Sequence, residues 1–331
     1  VIIMNILKKQ IILITFLVLI TGCTTAKKAY EVDPAYVSSS AYENRSCKEL
    51  LILAEEIKQQ TPTLERKVNE TRKKANQYQG VWSLPNGDEF YALRLKVYTT
   101  TDYSAEDIHN IGLSEVEGIT KRMQEIAFDL DYGDQVKVGQ LMNSLNEDSN
   151  FLYSDTPDRK ERVVADYNSI VEETWNISEL YFHNMPKSKV EVRAVPEYSE
   201  QNQAGGYYMS PALDGSRPGV FYANLYDIKQ TPTYSMRTLA FHEAIPGHHL
   251  QVALNLENNN LSLYRRFGYG TSAFSEGWAL YSEILALEAG LAQDPYDELG
   301  VLQSELFRAV RVVVDTGMHY KRWTREEAMA Y

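Results

Sequence analysis

Three of the six histidines in this 331-residue chain stand within His242-Glu243-Ala244-Ile245-Pro246-Gly247-His248-His249. Imidazoles at that density suit a divalent metal. The leading His-Glu matches the start of H-E-x-x-H, the helical pattern in which two histidines one turn apart bind zinc and the glutamate serves as general base. Here the second histidine comes late. On a straight helix His248 would lie roughly 9 Å along the axis and about 240° around from His242, and His249 would share its face at roughly 10.5 Å. Both nitrogens must come within about 2 Å of one ion, which neither pair could do. Pro246 breaks the i to i−4 ladder and Gly247 accepts backbone angles that other residues resist, so a bulge at 245–247 restores the geometry. Looping out two residues makes His248 the second ligand, the preferred assignment; looping out three would favour His249.

A catalytic zinc has three protein ligands and an open position for water. Glu276, in Phe274-Ser275-Glu276-Gly277-Trp278-Ala279, is the best third ligand, on a helix expected over 274–291. Glu283 shares its face two turns along and is expected to accept the second nitrogen of a ligating imidazole. In such a site zinc acidifies its bound water and polarises a carbonyl, while Glu243 accepts the water's proton and passes it to the leaving group. A developing oxyanion needs a donor, for which His319 and Tyr320 are the candidates. Arg308, Arg311, Asp315 and His319 follow at spacings of three, four and four, and therefore share one helix face. Arg308 or Arg311 is expected to bind a substrate carboxylate or to pair with Asp315, and Tyr208 to contact substrate.

The start of the chain carries an export signal. Lys8 and Lys9 precede an apolar run over 11–20, too short to span a bilayer, and Ile20-Thr21-Gly22-Cys23 follows. That tetrapeptide resembles the bacterial lipobox, which implies translation from Met4, a signal peptide over 1–22, and lipidation of Cys23. With Thr24 and Thr25 in place of an aspartate, the resemblance implies, in a Gram-negative cell, the outer membrane, facing the periplasm, rather than retention at the inner one. Residues 23–47 are expected to tether a domain over 48–331. Cys47 is the one cysteine left, so no internal disulfide forms, and the core must supply the stability. An apolar content of 44% over roughly 300 residues is enough for one. A net charge of −12 without a basic patch excludes nucleic acid and favours a small or peptide partner.

The elements that must position these residues read as mainly helical. A polar helix is expected over 48–77. Ser104-x-x-Asp107 and Ser114-x-x-Glu117 resemble capping boxes, ahead of an apolar stripe of Leu113, Val116, Ile119, Met123 and Ile126. Thr156-Pro157 opens a helix expected to run to residue 182. Alternation over 187–198, then the segments 205–208 and 219–224, predict a small antiparallel sheet just before the histidine cluster. Its edge offers an extended peptide a strand to pair with, or is plain scaffold. Thr324-x-x-Glu327 opens a last helix that reaches residue 331 without a cap or breaker.

Taken together, these segments resemble the bacterial domain-of-unknown-function 885 family. The matching motifs are Asn86-Gly87, residues 98–101, 108–113, Tyr207-Tyr208 and 214–219, then His242-Glu243-x-x-Pro246-Gly247-His248-His249-Leu250-Gln251. Ser275-Glu276-Gly277-Trp278-Ala279, Arg308-x-x-Arg311 and residues 315–319 complete them. The resemblance implies a helical zinc-peptidase fold of the thermolysin-like (gluzincin) class, distantly similar to thimet oligopeptidase and carboxypeptidase Taq, with Zn²⁺ on His242, His248 and Glu276. It also implies more helical sequence on either side than this chain carries, including a C-terminal tyrosine suited to an oxyanion, so the expectation is a domain incomplete at its C-terminus. Two other functions use the same residues: hydrolysis of a non-peptide amide, and binding without catalysis in the envelope.

Overall fold

A computed structural model describes residues 80–331, Tyr269 excepted. The expected signal peptide, lipidated Cys23, tether and polar helix lie outside the described residues. After a 3-10 turn at Val81–Ser83 come helices α1 (Gly87–Thr99), α2 (Ala105–Asp129), α3 (Val138–Leu145) and α4 (Arg159–Tyr181). Three strands follow, β1 (Val190–Ala194), β2 (Gly206–Met209) and β3 (Gly219–Ala223). Helices α5 (Thr233–Glu243), α6 (His248–Glu257), α7 (Ser272–Glu288), α8 (Pro295–His319) and α9 (Arg325–Ala330) complete the order. Among the described residues no helix is long and apolar enough to cross a membrane.

Local chemistry sets several of these boundaries. Ser104 and Asp107 form the expected capping box at the start of α2, and Thr324 with Glu327 forms another at α9. Asp294 accepts from the backbone N–H groups of Tyr296 and Asp297, and Pro295 at the first position of α8 has no N–H to leave orphaned. Two expected caps are displaced. Ser114 lies inside α2, because once Ser104 has nucleated the helix its ladder continues through the second serine. Pro157 sits in a turn closed by Arg159 N–H on Thr156 C=O, so α4 begins at Arg159, after Asp158.

The sheet is mixed rather than antiparallel, with strand order β1-β3-β2. β2 and β3 form the expected antiparallel pair, in register Tyr208↔Phe221. β1 runs parallel to β3, with Val192 opposite Phe221. The reason is topological: the chain leaving β1 passes to the far edge before β2, and the β2–β3 reversal then brings β3 back in β1's direction. Alternation gives a strand's faces but not its partner.

Helix α5 occupies the centre. Tyr234 packs with Ile119, Met123 and Leu299 of the α2–α8 layer, whereas Met236 and Ala240 pack with Tyr167 of α4 and Phe221 of the sheet. Phe241 closes a third cluster with Ala286 and Val301. α5 is buried on several faces although it is not apolar throughout: Arg237, also buried, donates to Leu291 C=O and pairs with Glu173. Since each fully buried large side chain contributes about 1.5–3 kcal/mol, these contacts fix where α5 ends, and its last two residues are His242 and Glu243.

Candidate metal centre

The expected bulge is a full break between two helices. Ala244 leaves helical angles (φ −108°, ψ −102°), the Ile245–Pro246 peptide is cis, and α6 begins at His248. Pro246 has no N–H with which to extend the ladder of α5. His249 N–H instead returns to Ala244 C=O at 3.0 Å. Gly247 is required by proximity: a Cβ there would overlap the carbonyl oxygens of Phe241 and His242. Ile245, fully buried, anchors the corner beside Trp175 and Leu250. Trp278 of α7 holds it from the other side, its Nε1–H donating to Pro246 C=O at 2.9 Å.

The corner turns His248 back toward His242. Their rings stand 4.8 Å apart, edge to face. Glu276, in the first turns of α7, faces both: its Oε2 is 3.5 Å from His242 Nε2 and its Oε1 3.7 Å from His248 Nε2. One ligand atom from each of the three residues lies within 4.8 Å of the other two. Donors held about 2.0–2.1 Å from a tetrahedral zinc sit about 3.3 Å from one another, so this nitrogen-nitrogen-oxygen set fits that ion with small adjustment. The Glu276 side chain is 59% exposed, which leaves the triad open to solvent on one side.

Behind the triad the surroundings are dry. Glu283, fully buried, accepts from His242 Nδ1–H at 2.7 Å, as the spacing from Glu276 led us to expect. In the neutral ring that bond keeps the proton on Nδ1, and loss of the Nε2 proton frees its lone pair for a metal. The other carboxylate oxygen, Glu283 Oε2, is buried with no hydrogen-bond partner among the described residues. Burial lowers the pKa of His242, but hydrogen bonds to Glu276 and Glu283 outweigh it and hold the imidazole at about 9. Burial carries Glu243 up to about 7, offset in part by His242 and Arg308. Burial and the charge of His242 depress His248 to about 4. The His242 hydrogen bond is the main reason Glu276 lies below the usual carboxylate range.

His249 points elsewhere, because consecutive helical residues are about 100° apart. Its Nε2 is 2.9 Å from Ser188 C=O and its Nδ1 2.9 Å from the Tyr208 hydroxyl. Tyr208 itself flanks the triad, with its ring nearly parallel to that of His248 at 6.4 Å. Arg308 reaches the site from α8: one terminal nitrogen lies 3.1 Å from His242 Nδ1 and 3.6 Å from Glu283 Oε1. Spacing alone had left Asp315 as its rival partner. Arg311 instead lies against the Phe307 ring at 5.5 Å. His319 accepts from Val81 N–H at 3.0 Å and packs against Tyr91, and Tyr320 contacts Lys321. Eleven helical residues separate Arg308 from His319, roughly 16 Å of axis, so a shared face does not bring His319 and Tyr320 to the triad.

The profile described as "Bacterial protein of unknown function (DUF885)" matches residues 21–331. The chain belongs to the DUF885 family. A crystal structure of a predicted lipoprotein from Colwellia psychrerythraea superimposes with a TM-score of 0.77 at 38% identity, covering 89% of this chain and 50% of that one. A predicted lipoprotein of unknown function from Shewanella oneidensis shares the fold, with a TM-score of 0.61 at 20% identity over 86% of this chain and 52% of that one. This DUF885 chain thus spans about half the length of either neighbour. No curated protein matches it significantly.

Proposed function

We propose that this DUF885 chain is a zinc-dependent peptidase of the thermolysin-like, glutamate-ligand class, lipid-anchored at Cys23 in the bacterial envelope. The observation that carries the reading is the convergence of His242, His248 and Glu276 from three helices, their ligand atoms within 4.8 Å of one another. Metal-ligating histidines almost always give their other ring N–H to a carboxylate, carbonyl or water, as His242 gives its Nδ1–H to buried Glu283.

His242, His248 and Glu276 would hold the zinc, which when bound would supply an acidified water and a polarised carbonyl. The chain's own groups do the rest. Glu243, next in sequence to His242 and poised near neutrality by burial, takes a proton from the attacking water at its carboxylate and returns it to the leaving nitrogen. Glu283 holds the Nδ1–H of His242 and so the direction of its ring. Arg308 offsets the buried Glu283 and brings a positive charge to the triad, where it favours charge developing on a substrate oxygen. Among the described residues β2 is an edge strand, and its backbone beside Tyr208 suits an extended peptide. The descriptions of the two structural neighbours as predicted lipoproteins support the anchor.

Zinc content of the purified protein and mass spectrometry of a peptide library after incubation test the reading. Stoichiometric zinc and peptide cleavage are expected, with cleavage abolished and zinc retained in Glu243→Gln. Hydrolysis that persists in that variant overturns the mechanism; products from other amides, but not peptides, overturn the substrate class. Loss of labelled-lipid incorporation in Cys23→Ser checks the anchor.

A further inference from the structure

The second histidine of the pair, His249, is left over by the metal site, yet it is fully buried and both its nitrogens are engaged. The Ser188 partner is a backbone carbonyl, which only accepts. Nε2 therefore carries a proton, and a ring that is fully buried between a carbonyl and a hydroxyl, with no carboxylate in hydrogen-bond contact among the described residues, is held neutral. Nδ1 of that tautomer is a lone pair, so the Tyr208 hydroxyl is the donor across their 2.9 Å contact. A hydroxyl has one proton and two lone pairs. With the proton committed to His249, what Tyr208 can offer the triad side is acceptor capacity.

The packing supports a built arrangement. Gly219 of β3 sits against both partners: a Cβ there would overlap His249 Nδ1 and come within 2.9 Å of the Tyr208 oxygen. β2 pairs with β3 at Tyr208↔Phe221, so the strand carrying the tyrosine is held on the same sheet that leaves this gap.

We propose that His249 is a positioning residue that turns the Tyr208 hydroxyl proton away from the triad, making the Tyr208 oxygen an acceptor for a substrate N–H, a backbone amide or a terminal ammonium. The inference deepens the peptidase reading and rests on it for the identity of the substrate. Tyr208 then selects donor-bearing peptides and has no part as an oxyanion donor.

Two measurements separate the parts. Histidine ¹⁵N spectra of the full chain, assigned with His249→Gln, are expected to show His249 protonated at Nε2 and unprotonated at Nδ1, with the Nδ1 signal moved by Tyr208→Phe and by Gly219→Ala. A proton on Nδ1, or a signal indifferent to Tyr208→Phe, overturns the relay whether or not the protein cleaves anything. Peptide affinity is then measured in the Glu243→Gln background with peptides in which each amide is replaced in turn by an ester, and with N-acetylated peptides. Tyr208→Phe is expected to weaken the parent peptide on the order of tenfold and to leave unchanged the one analogue lacking the recognised N–H. An ester position identifies a backbone amide, and acetylation the terminal ammonium. Coupling to none of them overturns the acceptor role, as does a kcat loss on the order of a hundredfold at unchanged KM for Tyr208→Phe in the otherwise native enzyme. Absence of any peptide binding overturns the peptidase reading and the acceptor role with it, while the histidine spectra still decide the relay.

Discussion

Glu283 accepts the Nδ1–H of His242 at 2.7 Å although its carboxylate is wholly buried and its second oxygen has no partner among the described residues. Burying a carboxylate is costly unless something repays it. His242 and Arg308 are the groups that do so here, and both stand at the triad. The pair therefore ties the cost of a buried charge to the aim of one imidazole.

If that aim matters, Glu283→Gln should lower zinc affinity about 10–100-fold without touching a ligand atom. Competition against a chromophoric chelator measures it. Unchanged affinity would mean that the ring is held by packing alone.

The two adjacent histidines should behave differently. His248→Ala is expected to abolish stoichiometric zinc, whereas His249→Ala keeps the metal. Zinc analysis of the two purified variants decides this, and the reverse result would place the second ligand on the wrong side of α6.

Proton linkage gives a pH signature of the metal-free protein. His242 is held at about 9, above its ordinary 6.5, so its contribution is full below 6.5 and lost as pH rises through 9. Glu243 lies at about 7, above its ordinary 4.5, so its protonated form is favoured by folding and stability likewise falls as pH rises through 7. The Glu243 loss runs from about 4.5 to 7 and the His242 loss from 6.5 to 9, so the two overlap near neutrality and His242 alone carries the alkaline part. Melting temperature in chelator should drop between pH 6.5 and 9, and Glu243→Gln should remove only the part near neutrality. A flat profile would rule out the pairing of His242 with Glu276 and Glu283 in the metal-free state. For the same reason zinc binding at pH 7 should release protons, seen as a buffer-dependent heat in calorimetry.

Trp278→Phe keeps most of the apolar contact with Phe182 and removes the donor to Pro246 C=O. A loss of about 1–2 kcal/mol in denaturant unfolding is expected, along with weaker zinc binding. Stability lost without any change in metal affinity would show that the corner needs no clamp from α7.

Much of the site was legible in order along the chain. His242 and Glu243 ending a helix, Pro246 and Gly247 breaking it, and Glu276 with Glu283 on one face are all relations inside single elements, where 3.6 residues per turn makes spacing equivalent to direction. The cap at Ser104 was readable for the same reason, since the box closes within four residues. Spacing failed where the partner lay on another element. Arg308 and His319 share a face of α8, but only Arg308 lies beside α5, and the parallel β1–β3 pair depends on the route of the chain between strands.

The sequence alone therefore determined which groups the proposed site draws on: two imidazoles and two carboxylates, beside a forced helix break. Tertiary structure decided which groups meet. It turned His248 toward His242, gave His249 to Tyr208 and Ser188, and put a buried glutamate behind the triad. The physical reason is that local geometry sets the direction of a side chain relative to its own helix, whereas the distance between side chains on different helices is set by the packing of the core between them.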